Sequence, residues 1–228
     1  MLLLLAASAA LNAQAPADAS KSTGFHELPH LHYGPFIAYG KGVGDRSSYN
    51  FLSAGAELGI ELTPVVGPGI LSGRFELAGN IMPLWQAYTP GPHDETRTCV
   101  DPSGNKSPCV VPVGGGTFTG VSITPVIFRW NFAARSKRIQ PWLQGAGGLI
   151  YTTHKFPPDV LVPGGFPGGT SVWNFSPQGG IGLHYFTRDS RSIDFGVNAI
   201  HISSASLGDK NPGVNASIQV QVGYTFWR

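Results

Sequence analysis

Charge is what this chain has least of. Asp, Glu, Lys and Arg make up 12% of its 228 residues, about half the share typical of soluble globular domains. The two signs nearly balance, 15 basic against 13 acidic, for a formal net charge of +2. With so little excess charge and no basic patch, nucleic acid is not an expected partner. Cysteine is almost missing: Cys99 and Cys109 are the only two, and without a nearby histidine they make a poor metal site. Beyond the first fifteen residues no apolar run is long enough for a transmembrane helix, and helical periodicity is scarce throughout. Glycine (31) and proline (19) are plentiful, yet aromatics reach 11%, which argues against disorder. Hydrophobic content is 42% with a mean hydropathy near zero. The length suits one β-barrel or β-sandwich domain, and the composition suits a barrel that shows alternate residues to lipid and to its lumen.

The first fifteen residues read as an export signal. Leu2 to Leu11 is an apolar segment too short to span a bilayer, and Ala13-Gln14-Ala15 offers small residues for cleavage. Residues 16–31 form a polar leader, and 32–228 the barrel domain. The leader contains His26-Glu27-Leu28-Pro29-His30, formally the zinc-protease pattern H-E-x-x-H. That chemistry needs both histidines on one face of a helix. Pro29 lies inside the would-be turn, at a cost of about 3 kcal/mol in a helix interior. No metal is expected here. Export makes a Cys99–Cys109 disulfide the default, and closing so short a loop contributes roughly 3 kcal/mol on the chain-entropy account.

From residue 32 the chain is a succession of strand signals. The first, 32–42, is weakly patterned. In 50–62, Leu52, Ala54, Ala56, Leu58, Ile60 and Leu62 alternate with Ser53, Gly55, Glu57, Gly59 and Glu61. In 70–82, Leu71, Phe75, Leu77 and Ile81 alternate with Ser72, Arg74, Glu76 and Asn80. Strands are expected again at 117–132, with a bulge at Pro125, then at 139–153 and 172–186. A closing hairpin follows. Ile193, Phe195, Val197 and Ala199 share a face that His201 and Ser203 continue, and the return strand sets Ile218, Val220, Val222, Tyr224 and Phe226 against Gln219, Gln221, Gly223 and Thr225.

The count is eight strands, with connections alternating in length. Those at 43–49, 88–116, 156–171 and 204–216 are long; those at 63–69, 133–138 and 187–192 are short. This is the plan of an eight-stranded antiparallel transmembrane β-barrel of the outer membrane, long loops outside. A lipocalin alternates too, with apolar residues inward. The membrane barrel is favoured by Glu57, Glu61, Arg74, Glu76 and Asp194 on the polar face, by the loop asymmetry, and by aromatics near strand ends (Tyr49, Trp85, Trp130, Tyr151, Trp173, Tyr185, Tyr224, Phe226). Leu52, Leu58, Phe75, Ile181, Val220 and Val222 are expected to face lipid. Glu57, Arg74, Glu76, Gln178 and Gln219 are expected inside a plugged, charge-paired lumen.

A histidine and a serine two apart on a strand stand side by side, so His201 could take the proton of the Ser203 hydroxyl. Taken alone, H-x-S arises easily by chance, and a polar pair at the membrane rim explains it better. The wider segment His201-Ile-Ser203-Ser-Ala-Ser-Leu-Gly-Asp-Lys-Asn211-Pro-Gly213-Val-Asn215 resembles the lipid A 3-O-deacylase family, eight-stranded outer-membrane barrels with a lipid-facing active site. That family carries His-x-Ser-Asn-Ala near the end of its penultimate strand and Asn-x-Gly in the loop beyond. The resemblance implies His201 as base, Ser203 as nucleophile, Ser204 or Asn211 as oxyanion support and Asn215 orienting the imidazole. Two positions depart: Ser204 stands where the family has asparagine, and Asn215 where it has an acid, with Asp209 a substitute acid nearby.

The implied activity is hydrolysis of the 3-O-linked acyl ester of lipid A, without a cofactor. The implied partners are lipopolysaccharide in the outer leaflet and the membrane, with a homodimer left open. The alternative is a non-enzymatic small barrel, an anchor or adhesion protein whose Cys-bridged loop carries the function.

Overall fold

The computed structural model describes residues 31–134, 136, 138–158, 171–205, 207 and 215–228. The export signal and the leader motif of His26, Glu27 and His30 lie outside them. Ten strands follow in order: β1 (Leu31–Gly42), β2 (Asn50–Glu61), β3 (Gly73–Tyr88), β4 (His93–Val100), β5 (Lys106–Val113), β6 (Thr117–Phe132), β7 (Ile139–Phe156), β8 (Ser171–Arg188), β9 (Arg191–His201) and β10 (Ala216–Trp227). Eight of them close a barrel in the order β1-β10-β9-β8-β7-β6-β3-β2, while β4 and β5 form a separate two-stranded sheet. Every pairing in the barrel is antiparallel. The shortest barrel strand, β9, has 11 residues, enough to cross a bilayer at the usual tilt. Its closure leaves no sheet edge, as a lipid-bathed sheet requires.

Alternation decides what faces where. Ile181 is 62% exposed, Leu58 56% and Val220 55%, with Val222 beside them, while Leu52 and Phe75 are half-buried on the same outer face. Inside, Arg129 reaches Glu57 and Glu76 at 2.8 Å each and donates to Gln144 at 2.9 and 2.8 Å. His32 bonds Glu76 at 2.9 Å, and Asn131 donates to the same carboxylate at 2.6 Å. Gln144 donates on to Asn198, Arg74 pairs with Glu61, and His184 Nδ1 meets Asp194 at 2.7 Å. The Arg129 guanidinium also lies 4.9 Å from the Trp142 ring. A cavity of only about 10 Å³ remains among these groups, so the lumen is a packed polar core and not a channel. Apolar outside and charged inside is the reverse of a lipocalin.

The long-loop end of the lumen is plugged differently, by Tyr49, Phe51, Trp85, Ala87, Phe118, Ile150, Phe156 and Ile202. Tyr49 and Trp85 therefore point inward instead of joining an outer aromatic belt. For Trp85 the cause is a register shift between Met82 and Trp85, which flips the parity of the rest of β3. A second shift, between Ile123 and Val126 of β6, is the bulge expected at Pro125.

The stretch read as one long loop, 88–116, is largely ordered sheet. β4 and β5 pair in register from His93↔Val113 to Val100↔Lys106. Pro108 and Pro112 in β5 hide the strand, because proline is normally a signal against one. The Cys99–Cys109 disulfide staples this hairpin near its tip, with the two Cα atoms 5.8 Å apart. Because β4 and β5 pair only with each other, Cys99→Ser with Cys109→Ser is expected to loosen the hairpin by about 3 kcal/mol. Barrel stability should be unchanged. Limited proteolysis should nick the reduced hairpin while the heat-modifiable gel shift of the barrel persists; loss of that shift would contradict the separation.

Candidate active site

His201 is the last residue of β9, at the long-loop end of the wall. Its register partner on β10 is Ala216, and on the other side the β8 register continues from Gln178↔Ile200 to an isolated bridge, Phe175↔Ser203. That bridge is a closed pair: Ser203 N–H donates to the Phe175 carbonyl at 2.9 Å and Phe175 N–H to the Ser203 carbonyl at 2.7 Å. The chain beyond β9 thus keeps strand parity, so His201 and Ser203 share the outer face with Phe195, Val197 and Ala199. Their separation along the strand is about 6.6 Å by strand rise, a span that an imidazole and a hydroxyl can cover. Both are partly buried. The surrounding outer surface is apolar, with Trp173, Phe175 and Ile218 exposed.

Intervening residues face the other way. Ile202 is buried in the aromatic plug and Ser204 is wholly buried. Asn215 pairs with Ile202, whose N–H donates to its carbonyl at 2.8 Å, and it is also fully buried. Sheet parity puts its side chain on the inner face, with the barrel wall between it and the imidazole. Asn215 was expected to orient His201 and Ser204 to support an oxyanion; in this register both side chains take the inner face, behind the histidine and serine. The Asn215 amide, the Ser204 hydroxyl and the Asn174 carbonyl oxygen have no hydrogen-bond partner among the described residues. Asn211 and Asp209 lie outside the described residues.

The inward position decides what Asn215→Glu would do. A carboxylate there would be buried without a partner, which costs far more than the amide it replaces. Asn215→Glu should lower the urea midpoint of the barrel, whereas Asn215→Ala should be mild. A more active Asn215→Glu protein of undiminished stability would mean that this side chain reaches the outer face.

Two other features lie apart from this site. His32, Glu57 and Glu76 offer ligand atoms within 4.8 Å of one another, but the Arg129 guanidinium already bonds both carboxylates. A cation there would meet a cation. The larger apolar recess, about 670 Å³, lies on the outside of β1, β2, β3 and β6, lined by Tyr33, Leu58, Ile60, Leu77, Ile81 and Ile123. It is across the barrel from His201 and does not adjoin it. One feature beside Ser203 has no signal in the sequence, the backbone of Ala205. Its φ is +46° and its N–H donates to Ser203 Oγ at 3.2 Å; an alanine carries no signal for such a conformation.

Comparison with known proteins agrees with this architecture. No curated protein matches the chain in sequence. Among solved structures, neisserial surface protein A is 13% identical, with 87% of this chain and 97% of that one covered and a TM-score of 0.51. The outer membrane enzyme PagL is 16% identical over 85% of this chain and 98% of its own, TM-score 0.46. The outer membrane protein OprG from Pseudomonas aeruginosa is 9% identical over 89% and 97%, TM-score 0.44. The neisserial likeness supports the barrel fold and nothing finer. The sequence profile of the lipid A 3-O-deacylase (PagL) family matches residues 111–225, which takes in β6 through most of β10 and the whole His201–Ser203 segment. On that match over half of its length, this chain belongs to the lipid A 3-O-deacylase (PagL) family.

Proposed function

We propose that this protein is an outer-membrane esterase that removes the 3-O-linked acyl chain of lipid A, with Ser203 as nucleophile and His201 as general base. The observation that carries the reading is the placement of His201 and Ser203 on one outward, apolar face at the long-loop end, in a chain of this family. An ester carbonyl of a lipid in the outer leaflet lies at that depth, and its acyl chain would run down the surface of Phe175, Val197 and Ile218.

The chemistry follows from the two groups. His201 takes the hydroxyl proton as Ser203 Oγ adds to the ester carbon, and the carbonyl electrons move onto its oxygen. Collapse breaks the bond to the sugar oxygen, which leaves with the proton held by His201. Water, deprotonated by the same imidazole, then cleaves the acyl-enzyme and releases a free fatty acid. Since Ala216 stands opposite His201 and Asn215 points inward, the reading treats the pair as a dyad with no orienting side chain from the β10 strand. The test is mass spectrometry of lipid A from outer-membrane preparations with and without the protein. The expected difference is loss of one ester-linked 3-hydroxy acyl chain; identical spectra would sink the esterase.

A further inference from the structure

We infer that the backbone N–H of Ala205 is the donor that stabilises negative charge at the reacting centre, an inference that rests on Ser203 acting as nucleophile. Three observations lead there. The Ala205 N–H donates to Ser203 Oγ at 3.2 Å. The residue has a left-handed φ of +46°, uncommon for any residue but glycine, asparagine or aspartate. The side chain that would otherwise donate, Ser204 Oγ, is wholly buried on the inner face with no partner among the described residues. Had β9 simply continued, the Ala205 amide would be committed to β8, as the Ser203 amide is to Phe175. The turn at Ala205 takes the chain off the wall and leaves this amide aimed at the nucleophile.

The electron movement shows what such a donor does. In the resting protein it bonds the neutral hydroxyl oxygen. As His201 removes the proton, negative charge develops on Oγ and the same bond strengthens. When Oγ adds to the ester carbon, the charge moves to the former carbonyl oxygen. That oxygen and Oγ are bonded to one carbon, so a donor within reach of the first is within reach of the second. An N–H fixed before reaction needs no reorganisation as the charge appears. Aimed from the lipid-facing wall, where water is scarce, it acts in a medium of low dielectric that does little to screen it. The strained alanine is then the means of holding a donor where a regular strand would have spent it on the ladder.

The experiment removes the Ala205 hydrogen-bond donor and, through the same ester, weakens the Ser204 carbonyl that accepts from the Leu207 N–H at 2.9 Å. Replacing Ala205 by lactic acid through nonsense suppression turns its N–H into an ester oxygen while keeping the methyl group and the turn. The heat-modifiable gel shift reports folding. With purified lipid A in detergent, the expected result is a fall in kcat on the order of 10²–10³-fold, as for loss of one oxyanion donor, with KM unchanged. A folded ester variant with kcat close to that of the wild type overturns the assignment while leaving the esterase reading intact. Should the wild type release no fatty acid, the esterase reading falls, and the same two proteins are compared in the rate at which a fluorophosphonate labels Ser203. In that reaction Oγ bonds phosphorus, fluoride leaves and His201 keeps the proton. Slower labelling of the ester variant upholds the Ala205 donor, and equal labelling overturns it.

Discussion

Ser203→Ala is expected to lower release of the 3-O-acyl chain by on the order of 10⁴-fold or more, and His201→Ala by a comparable factor, because members of a nucleophile–base unit fail together. The double variant should be no worse than either single one. Neither side chain contributes to the lumen: both lie on the outer face at the strand end, and only Ile202 between them enters the aromatic plug. Assembly should therefore survive, seen as an unchanged heat-modifiable gel shift and urea midpoint. Additive losses in the double variant would mean that the two residues do not act as one device. An inactive Ser203→Ala protein that also fails to assemble would remove the argument for a catalytic role.

Arg129→Leu should be among the most damaging single changes to the barrel. It deletes the cation that bonds Glu57 and Glu76 at 2.8 Å and leaves buried carboxylates facing one another, with His32 able to compensate only one. Removing one partner of a buried charge cluster typically costs about 3–5 kcal/mol. The Gln144 side chain would lose its donors from the same group. Urea titration in detergent should show the midpoint falling accordingly. Because replacing a whole buried ion cluster by apolar side chains is often neutral, Arg129→Met with Glu57→Leu and Glu76→Leu should recover most of the loss. A single Arg129→Leu variant within about 1 kcal/mol of the wild type would show that the network is solvated and contributes little.

The same network explains the charge economy of the chain. Glu57, Glu61, Arg74, Glu76, Arg129 and Asp194 sit at lumen positions, where they pair with one another or with His32 and His184, and most outer positions carry branched and aromatic side chains. Trp142 spans the lumen over Gly182 and Gly196, where a Cβ at either position would collide with the indole. These two glycines make room for the ring that the Arg129 guanidinium stacks on.

Much of this was legible in the residues themselves. Period-two alternation determined seven of the eight barrel strands, their in-and-out assignment and the eight-stranded plan, because a strand with one face in lipid must alternate and a register slip would invert it. The segment from His201 to Asn215 determined the family, and parity alone put His201 and Ser203 on the outer face. What alternation cannot carry is a local change of phase. The bulge before Trp85 turned an expected outer aromatic inward, and prolines concealed the β4–β5 hairpin, since each breaks the pattern that the eye follows. Asn215 is the sharpest case. Its spacing from His201 matches an orienting residue, but only the pairing with Ile202 across β9 and β10 decides which face it takes. That pairing depends on how a fourteen-residue connection folds back, which no count along the chain contains. The left-handed turn at Ala205 belongs to the same class: it is imposed on an ordinary alanine by the wall ending beside it, and tertiary structure alone could reveal it.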